Sequence, residues 1–167
     1  MKTLAFISVL AASLALPSTA SADDEPFVIG SQPIWFLTGG VTTGGTVALD
    51  DKGAFVGAEL SLTRLRDRHY LGFYADAYYD WGPNGTYLSA GPELGLLKRV
   101  PPIGAGIDGG VAIRFADGTD IGGTGRLFLT LAAGLALFGR YTHFGTADNE
   151  QIVSVGLTFK VPLYNSF

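Results

Sequence analysis

The chain has 167 residues, no cysteine, 47% hydrophobic and 16% charged residues, and a formal net charge of −4. Without Cys, disulfides, thiolate metal sites and a lipidated N-terminal Cys are excluded, so the fold must be held noncovalently. An acidic balance with no basic cluster argues against a nucleic-acid partner, and the length is that of one domain.

Lys2, the apolar run Leu4 to Leu16 and the small-residue end Ala20-Ser21-Ala22 form the basic start, greasy middle and A-x-A cleavage site of a secretory signal peptide, residues 1–22. The run is too short for a membrane-spanning helix, which needs about 20 residues. Cleavage after Ala22 leaves 145 residues with ten basic and fifteen acidic side chains, net −5. They divide into an N-terminal segment, 23–33, and a domain, 34–167. No later stretch is helically periodic or apolar over the length of a spanning helix, so the mature chain can enter a membrane only as a barrel.

Short turn signals separate alternating runs, the mark of an antiparallel meander: DDKG at 50–53, RDRH at 66–69, GPNG at 82–85, RVPP at 99–102, DGTDIGG at 117–123 and GTADN at 145–149. A first strand is predicted over Ile34 to Leu49. In the second, Ala54 to Leu65, Val56, Ala58, Leu60 and Leu62 alternate with Gly57, Glu59, Ser61 and Thr63. The third, Tyr70 to Trp81, sets Leu71, Phe73, Ala75, Ala77, Tyr79 and Trp81 against Tyr70, Gly72, Tyr74, Asp76, Tyr78 and Asp80. Asn84-Gly85 fits a type I′ hairpin turn after it, because both residues tolerate positive φ. In the fourth strand Leu88, Ala90, Leu94 and Leu96 oppose Ser89, Gly91, Glu93 and Gly95, and Pro92, which cannot donate to a ladder, predicts a bulge. In the fifth, Ile107, Val111, Ile113 and Phe115 oppose Gly106, Asp108, Gly110 and Arg114. From Arg126 to Phe144 the leucines keep one parity. A three-residue loop at 132–134 would preserve that parity and give eight strands, whereas one long strand would give seven; single-chain bacterial barrels have even numbers. In the last strand Val153, Val155, Leu157, Phe159 and Val161 oppose Ser154, Gly156, Thr158 and Lys160.

Eight strands close into a barrel that side chains can just fill. A row of Gly, Ser, Thr and spaced charges cannot form a hydrophobic core but fits a crowded lumen, so the apolar row is assigned to lipid. A soluble lipocalin-like barrel, the alternative, would need large apolar residues inside. The predicted fold is therefore all-β: an eight-stranded antiparallel up-and-down transmembrane β-barrel of meander topology. Trp35, Tyr79, Trp81, Phe115 and Tyr141 suit aromatic girdles at the two interfaces. Glu59, Asp76, Glu93 and Asp108, from four consecutive strands, would face Arg114, Arg126, Arg140 and Lys160 across the lumen. Because an unpaired buried charge costs several kcal/mol, mutual neutralisation predicts a plugged interior. A wet lumen lined by the same charges without specific pairing is the other reading.

With the last strand ending on the periplasmic side, RLRDRH and KRVPP become inner turns carrying Arg66, Arg68, Lys98 and Arg99. The outer loops then carry Asp50, Asp51, Asp80, Asp117, Asp120 and Asp148. Such carboxylates could bind divalent cations that bridge lipid phosphates, but solvated turn residues are the commoner role of Asp. No metal or cofactor site is predicted, since the two His residues are distant and the glycine clusters have no strand-then-helix context.

An export signal, eight amphipathic strands, no Cys and an aromatic C-terminus resemble the small bacterial outer-membrane β-barrels, the group that includes the OmpA membrane domain and OmpX. In that group alternate aromatic and apolar residues of the last strand are read by the barrel assembly machinery. Leu157, Phe159, Val161, Leu163 and Phe167 match that signal here, while Pro162 and Asn165 depart from it. The resemblance implies a location in the cell outer membrane, with outer-membrane lipids, lipopolysaccharide among them, and the assembly machinery as partners of a monomeric, non-enzymatic structural or surface-interaction protein. The end of the chain, RYTHFGTADNEQIVSVGLTF, is also similar to the lipid A deacylase barrels, which carry a His two residues before a nucleophilic Ser and a Glu on the last strand. His143 matches the His, but Gly145 stands at the nucleophile and the outward row of the last strand has no Glu, so the likeness argues against acyl hydrolysis by that mechanism.

Overall fold

The computed structural model describes residues 33–48, 52–66, 68–98, 103–132, 134–145 and 150–166. The predicted signal peptide, most of the N-terminal segment and Phe167 lie outside them. The described chain is entirely β: β1 (Ile34–Ala48), β2 (Lys52–Arg66), β3 (His69–Asp80), β4 (Gly85–Lys98), β5 (Ile103–Phe115), β6 (Thr119–Ala132), β7 (Leu135–Phe144) and β8 (Gln151–Ser166). Each strand pairs antiparallel with its sequence neighbours, and β1 pairs with β8, so the meander closes into a barrel of eight strands with no free edge. Closure pairs backbone N–H and C=O groups between strands all round the ring.

The alternation read from the sequence sets the two faces. Leu60, Leu62, Leu71, Phe73, Leu94, Ile107, Val111, Leu127, Val155 and Leu157 are exposed on the outside, while Glu59, Asp76, Glu93, Asp108, Arg126 and Arg140 are buried inside. A soluble barrel shows the opposite distribution.

Several local expectations are corrected. The segment 117–123 is not a loop, because β6 begins at Thr119. Its glycines mark crowding instead of turning: a Cβ on Gly122 would lie 2.1 Å from the His143 carbonyl oxygen and against the Phe144 ring. Asn84-Gly85 is not a two-residue turn. Trp81 to Asn84 form a four-residue loop closed by the Asp80–Gly85 pair, and only Asn84 takes positive φ, at 50°. Trp81 thus stands in the turn, its ring edge-on to Tyr79, whose hydroxyl donates to Asn84 Oδ1 at 2.5 Å.

The split between β6 and β7 occurs as predicted, by a different device. Ala132 pairs with Leu135 around a two-residue loop, and a bulge at Leu131 restores the parity that such a loop would shift. Gly134 supplies the left-handed residue, with φ 88°.

Pro92 produces no bulge. Pairing with β3 runs straight through it, and the register with β5 is the same on both sides of a gap at Gly91 and Pro92. The missing donor faces Gly109 and Gly110. A Cβ on Gly110 would come 1.9 Å from the Ala90 carbonyl oxygen, so glycine lets the two backbones stay close where a ladder bond is lost. The bulge near a proline is instead on β8, where the register shifts between Leu37 and Thr38 as they pair with Tyr164 and Pro162.

Gly110→Val is expected to lower stability by about 1–3 kcal/mol through backbone overpacking, whereas Gly139→Val, with open space where its Cβ would stand, should change it by less than about 0.5 kcal/mol. Urea unfolding of the two variants in detergent micelles measures the difference.

Candidate functional site: the filled lumen

Acids and bases meet across the barrel because β2 to β5 and β6 to β8 form facing walls. Arg126 from β6 reaches over to β2, where Nη1 and Nη2 donate to Glu59 Oε2 and Oε1 at 2.5 and 3.1 Å, and its Nε donates to Asp108 Oδ2 on neighbouring β5 at 2.7 Å. Lys160 from β8 joins Glu59, lies 3.7 Å from Glu93, and donates to Ser61 Oγ at 2.9 Å. Glu93 also accepts from Thr63 Oγ1 at 2.6 Å, and Ser61 donates to Glu59 at 3.2 Å. Above this cluster Arg140 from β7 pairs with Asp76, which accepts a second bond from Ser89. Seven of the eight charged residues singled out from the sequence thus form two knots, one of five residues and one of two.

Arg114 is the exception. It shares a strand with Asp108 and sits near the loop end of the barrel, where Nε and Nη2 donate to Asp120 Oδ2 at 3.0 and 2.5 Å and Nη1 pairs with Glu150. Asp120, expected as a solvated loop carboxylate, is therefore a lumen-rim partner of Arg114. Asp80, expected likewise, is 1% exposed: it accepts from Thr46 and from the Gly82 N–H at 2.9 Å, which caps the turn.

Contrary to the expectation that the inward row has no apolar core, Phe55, Tyr78, Tyr87, Ala112, Phe138, Phe144 and Ile152 pack together inside the barrel. Tyr78 and Tyr87 stack with centroids 4.8 Å apart, and Phe55 tilts against both Tyr78 and Phe138. Charges and rings interleave. Arg140 lies 4.6 Å from the Tyr78 ring and 5.4 Å from Phe138, Arg126 also lies 5.4 Å from the Phe138 ring, and Arg114 covers Phe144 at 5.0 Å. Each guanidinium therefore has at least one carboxylate partner and lies over at least one aromatic ring, which suits its flat, weakly hydrated shape. Parity held the signal for this core, since Phe55 has the parity of Glu59, Phe128 that of Arg126, and Phe138 that of Arg140.

The remaining predicted residues lie outside. Trp35, Tyr79, Trp81, Phe115 and Tyr141 are all exposed, Trp35 at the inner-turn end and the others in the half nearer the outer loops. Leu157, Phe159, Val161 and Leu163 follow one face of β8. The register shift between Leu37 and Thr38 leaves Tyr164 exposed opposite Leu37, directly after exposed Leu163, which accounts for the break in the alternating pattern. His143 faces outward on β7, paired with Gln151 and Gly123, and its Nδ1 is buried without a partner. No hydroxyl, thiol or carboxylate occupies these cross-strand positions. Among the described residues no group of His, Asp and Glu has the geometry of a metal site.

No protein-family model and no curated protein sequence matches the chain. Among solved structures it is similar to the crystal structure of the outer membrane enzyme PagL, with a TM-score of 0.52 at 19% identity over 75% of this chain and 99% of that one. It is also similar to Neisserial surface protein A, with a TM-score of 0.48 at 12% identity over 76% and 96%, and to a de novo designed transmembrane β-barrel, with 0.46 at 15% identity over 75% and 95%. The chain has the fold of the small outer-membrane β-barrels. At these identities the likeness concerns fold alone.

Arg126→Met would leave Asp108 without its cation and Glu59 with Lys160 as its remaining cation, and is expected to cost about 3–5 kcal/mol, of which Arg126→Met with Asp108→Asn recovers part. A double-mutant cycle of urea unfolding in lipid vesicles checks the coupling.

Proposed function

We propose that the protein is an integral β-barrel of a bacterial outer membrane, monomeric, with a closed lumen, serving a structural or surface-interaction role without enzymatic activity. One observation carries this: the barrel is inside out for water, with Leu71, Phe73, Ile121 and Leu127 each more than 60% exposed while the charges that face the lumen are paired and buried. An apolar exterior of this extent is stable only against hydrocarbon. The signal sequence supports export, and the likeness to the outer membrane enzyme PagL supports the location. Outer-membrane lipids, including lipopolysaccharide, are then its surroundings, and the barrel assembly machinery is the partner that reads Leu157, Phe159, Val161, Leu163 and Phe167.

The interior argues for a plug. The stacked Tyr78 and Tyr87 with Phe55 and Phe144 fill one level, and the Arg126 and Arg140 knots fill the levels beside it. PagL is an enzyme, but an acyl hydrolase needs a nucleophile beside its base. His143 has Gly145 two residues on, and Thr142 is buried on the lumen side.

The folded protein is expected to require detergent for extraction and to migrate faster on gels unheated than boiled. In planar bilayers it should give no large steady conductance, and incubation with lipid A should release no acyl chain detectable by mass analysis. A water-soluble monomer in plain buffer would refute the membrane reading, and released fatty acid would refute the non-enzymatic one.

A further inference from the structure

Among strand residues whose side chains are described, the charges face the lumen with three exceptions, all on β2: Lys52 at one end, and Arg64 and Arg66 at the other. Arg64 is not at the strand terminus. It sits one outward step below Leu62, in a cross-strand row Trp35–Arg64–Leu71, directly beneath the row Leu37–Leu62–Phe73. Its guanidinium lies over the Trp35 ring at 5.9 Å. Arg66 follows, paired with exposed His69, and Arg68 stands exposed in the turn between them. No carboxylate among the described residues lies within 4.0 Å of these three arginines.

Among the residues whose side chains are described, the cluster is one-sided: around the rest of the same end the described outward positions include Ile103, Leu129, Leu135, Val161, Leu163 and Tyr164, while Lys98 and Arg99 lie outside the described side chains. The barrel could have neutralised Arg64 by turning it inward, where every other mid-strand arginine finds acids; instead three cations are held beside a bare apolar wall, just where hydrocarbon must give way to headgroups. The ligand such a site fits has an anionic phosphate at its head and acyl chains that run up over Leu62, Leu37 and Phe73.

We infer that Arg64, Arg66 and Arg68, with Trp35 as the platform for Arg64, form a binding site for the phosphate of an anionic phospholipid in the leaflet at the inner-turn end. Guanidinium groups match phosphate oxygens in paired hydrogen bonds, and the indole holds Arg64 flat at the interface so that less freedom is lost on binding. The site rests on the membrane reading above, because the acyl part of the ligand needs the exterior to be in lipid. It adds a preference for headgroup charge in one sector of the barrel, which that reading does not require.

The two tryptophans lie at opposite ends, so each can report separately. With Trp81→Phe, Trp35 is the sole tryptophan. In phosphatidylcholine vesicles, brominated phosphatidylglycerol is expected to quench it more strongly than an equal fraction of brominated phosphatidylcholine, corresponding to a preference of about fivefold or more. The preference should fall to about one in R64Q/R66Q/R68Q, and weaken in high salt. With Trp35→Phe, Trp81 should be quenched equally by the two lipids. Quenching of the parent's Trp35 by both lipids without preference, or a preference for phosphatidylglycerol that persists undiminished in the triple variant, overturns the site while leaving the membrane barrel standing. Quenching of neither tryptophan overturns both. Because the triple variant alters only exposed side chains, its Trp35 quenching by brominated phosphatidylcholine also certifies that it has folded and inserted.

Discussion

The pairing of β1 with β8 is the contact on which the rest of the molecule depends. An open eight-stranded sheet would leave two rows of unpaired N–H and C=O groups, which in hydrocarbon cost several kcal/mol apiece. Closing it from Trp35–Ser166 to Ala48–Ile152 removes both rows, and the bulge opposite Thr38 lets β8 carry Pro162 without opening the seam. Once closed, the ring has an inside and an outside, and the two-residue period of each strand must obey that division all the way round.

A ring of eight strands encloses little space, and that limit explains the composition of the inward row. Where a ring or guanidinium crosses the lumen, the facing position must be small. Gly106 lies under the Tyr70 hydroxyl and the Phe128 ring, and Gly156 lies against Phe138. Large groups then interdigitate with glycines instead of with one another, so charge pairs and aromatic stacks share one narrow column. Arg126 and Arg140 are each tied to an acid four strands away, Glu59 on β2 and Asp76 on β3, which braces the walls against each other across the lumen. Buried ion pairs add little to stability over an apolar filling, but removing one partner is costly, so such pairs specify which strands face which. Orphaned atoms in the same column, Asp108 Oδ1 and Arg140 Nη1, are the sort that buried water satisfies.

Strand existence and facing were legible from residues alone because parity is a local property. Glu59 opposite Leu60 and Asp76 opposite Phe73 and Ala75 assign both faces without any knowledge of neighbours. The errors came where one residue type has two uses. Glycine in 117–123 has the local pattern of a turn yet makes room for Phe144, and Asp80 and Asp120 have that of solvated loop residues, yet one caps a turn from inside and the other holds Arg114. The inward Phe55, Phe138 and Phe144 have the parity of neighbouring charges, so the filled lumen was within reach of the same argument.

The sequence by itself determined the class of fold, the number of strands once Gly134 was read as a loop residue, and which row of side chains meets which medium, since all of these follow from alternation and turn chemistry within a single strand or hairpin. Only the tertiary structure decided partners: that Arg126 reaches Glu59, that Arg114 leaves the central acids for Asp120 and Glu150, that Pro92 keeps register because Gly109 and Gly110 face it, and that Arg64 lies over Trp35. These depend on register and on the stagger of strands around the ring, where one residue of shift changes every neighbour. No local pattern encodes that sum.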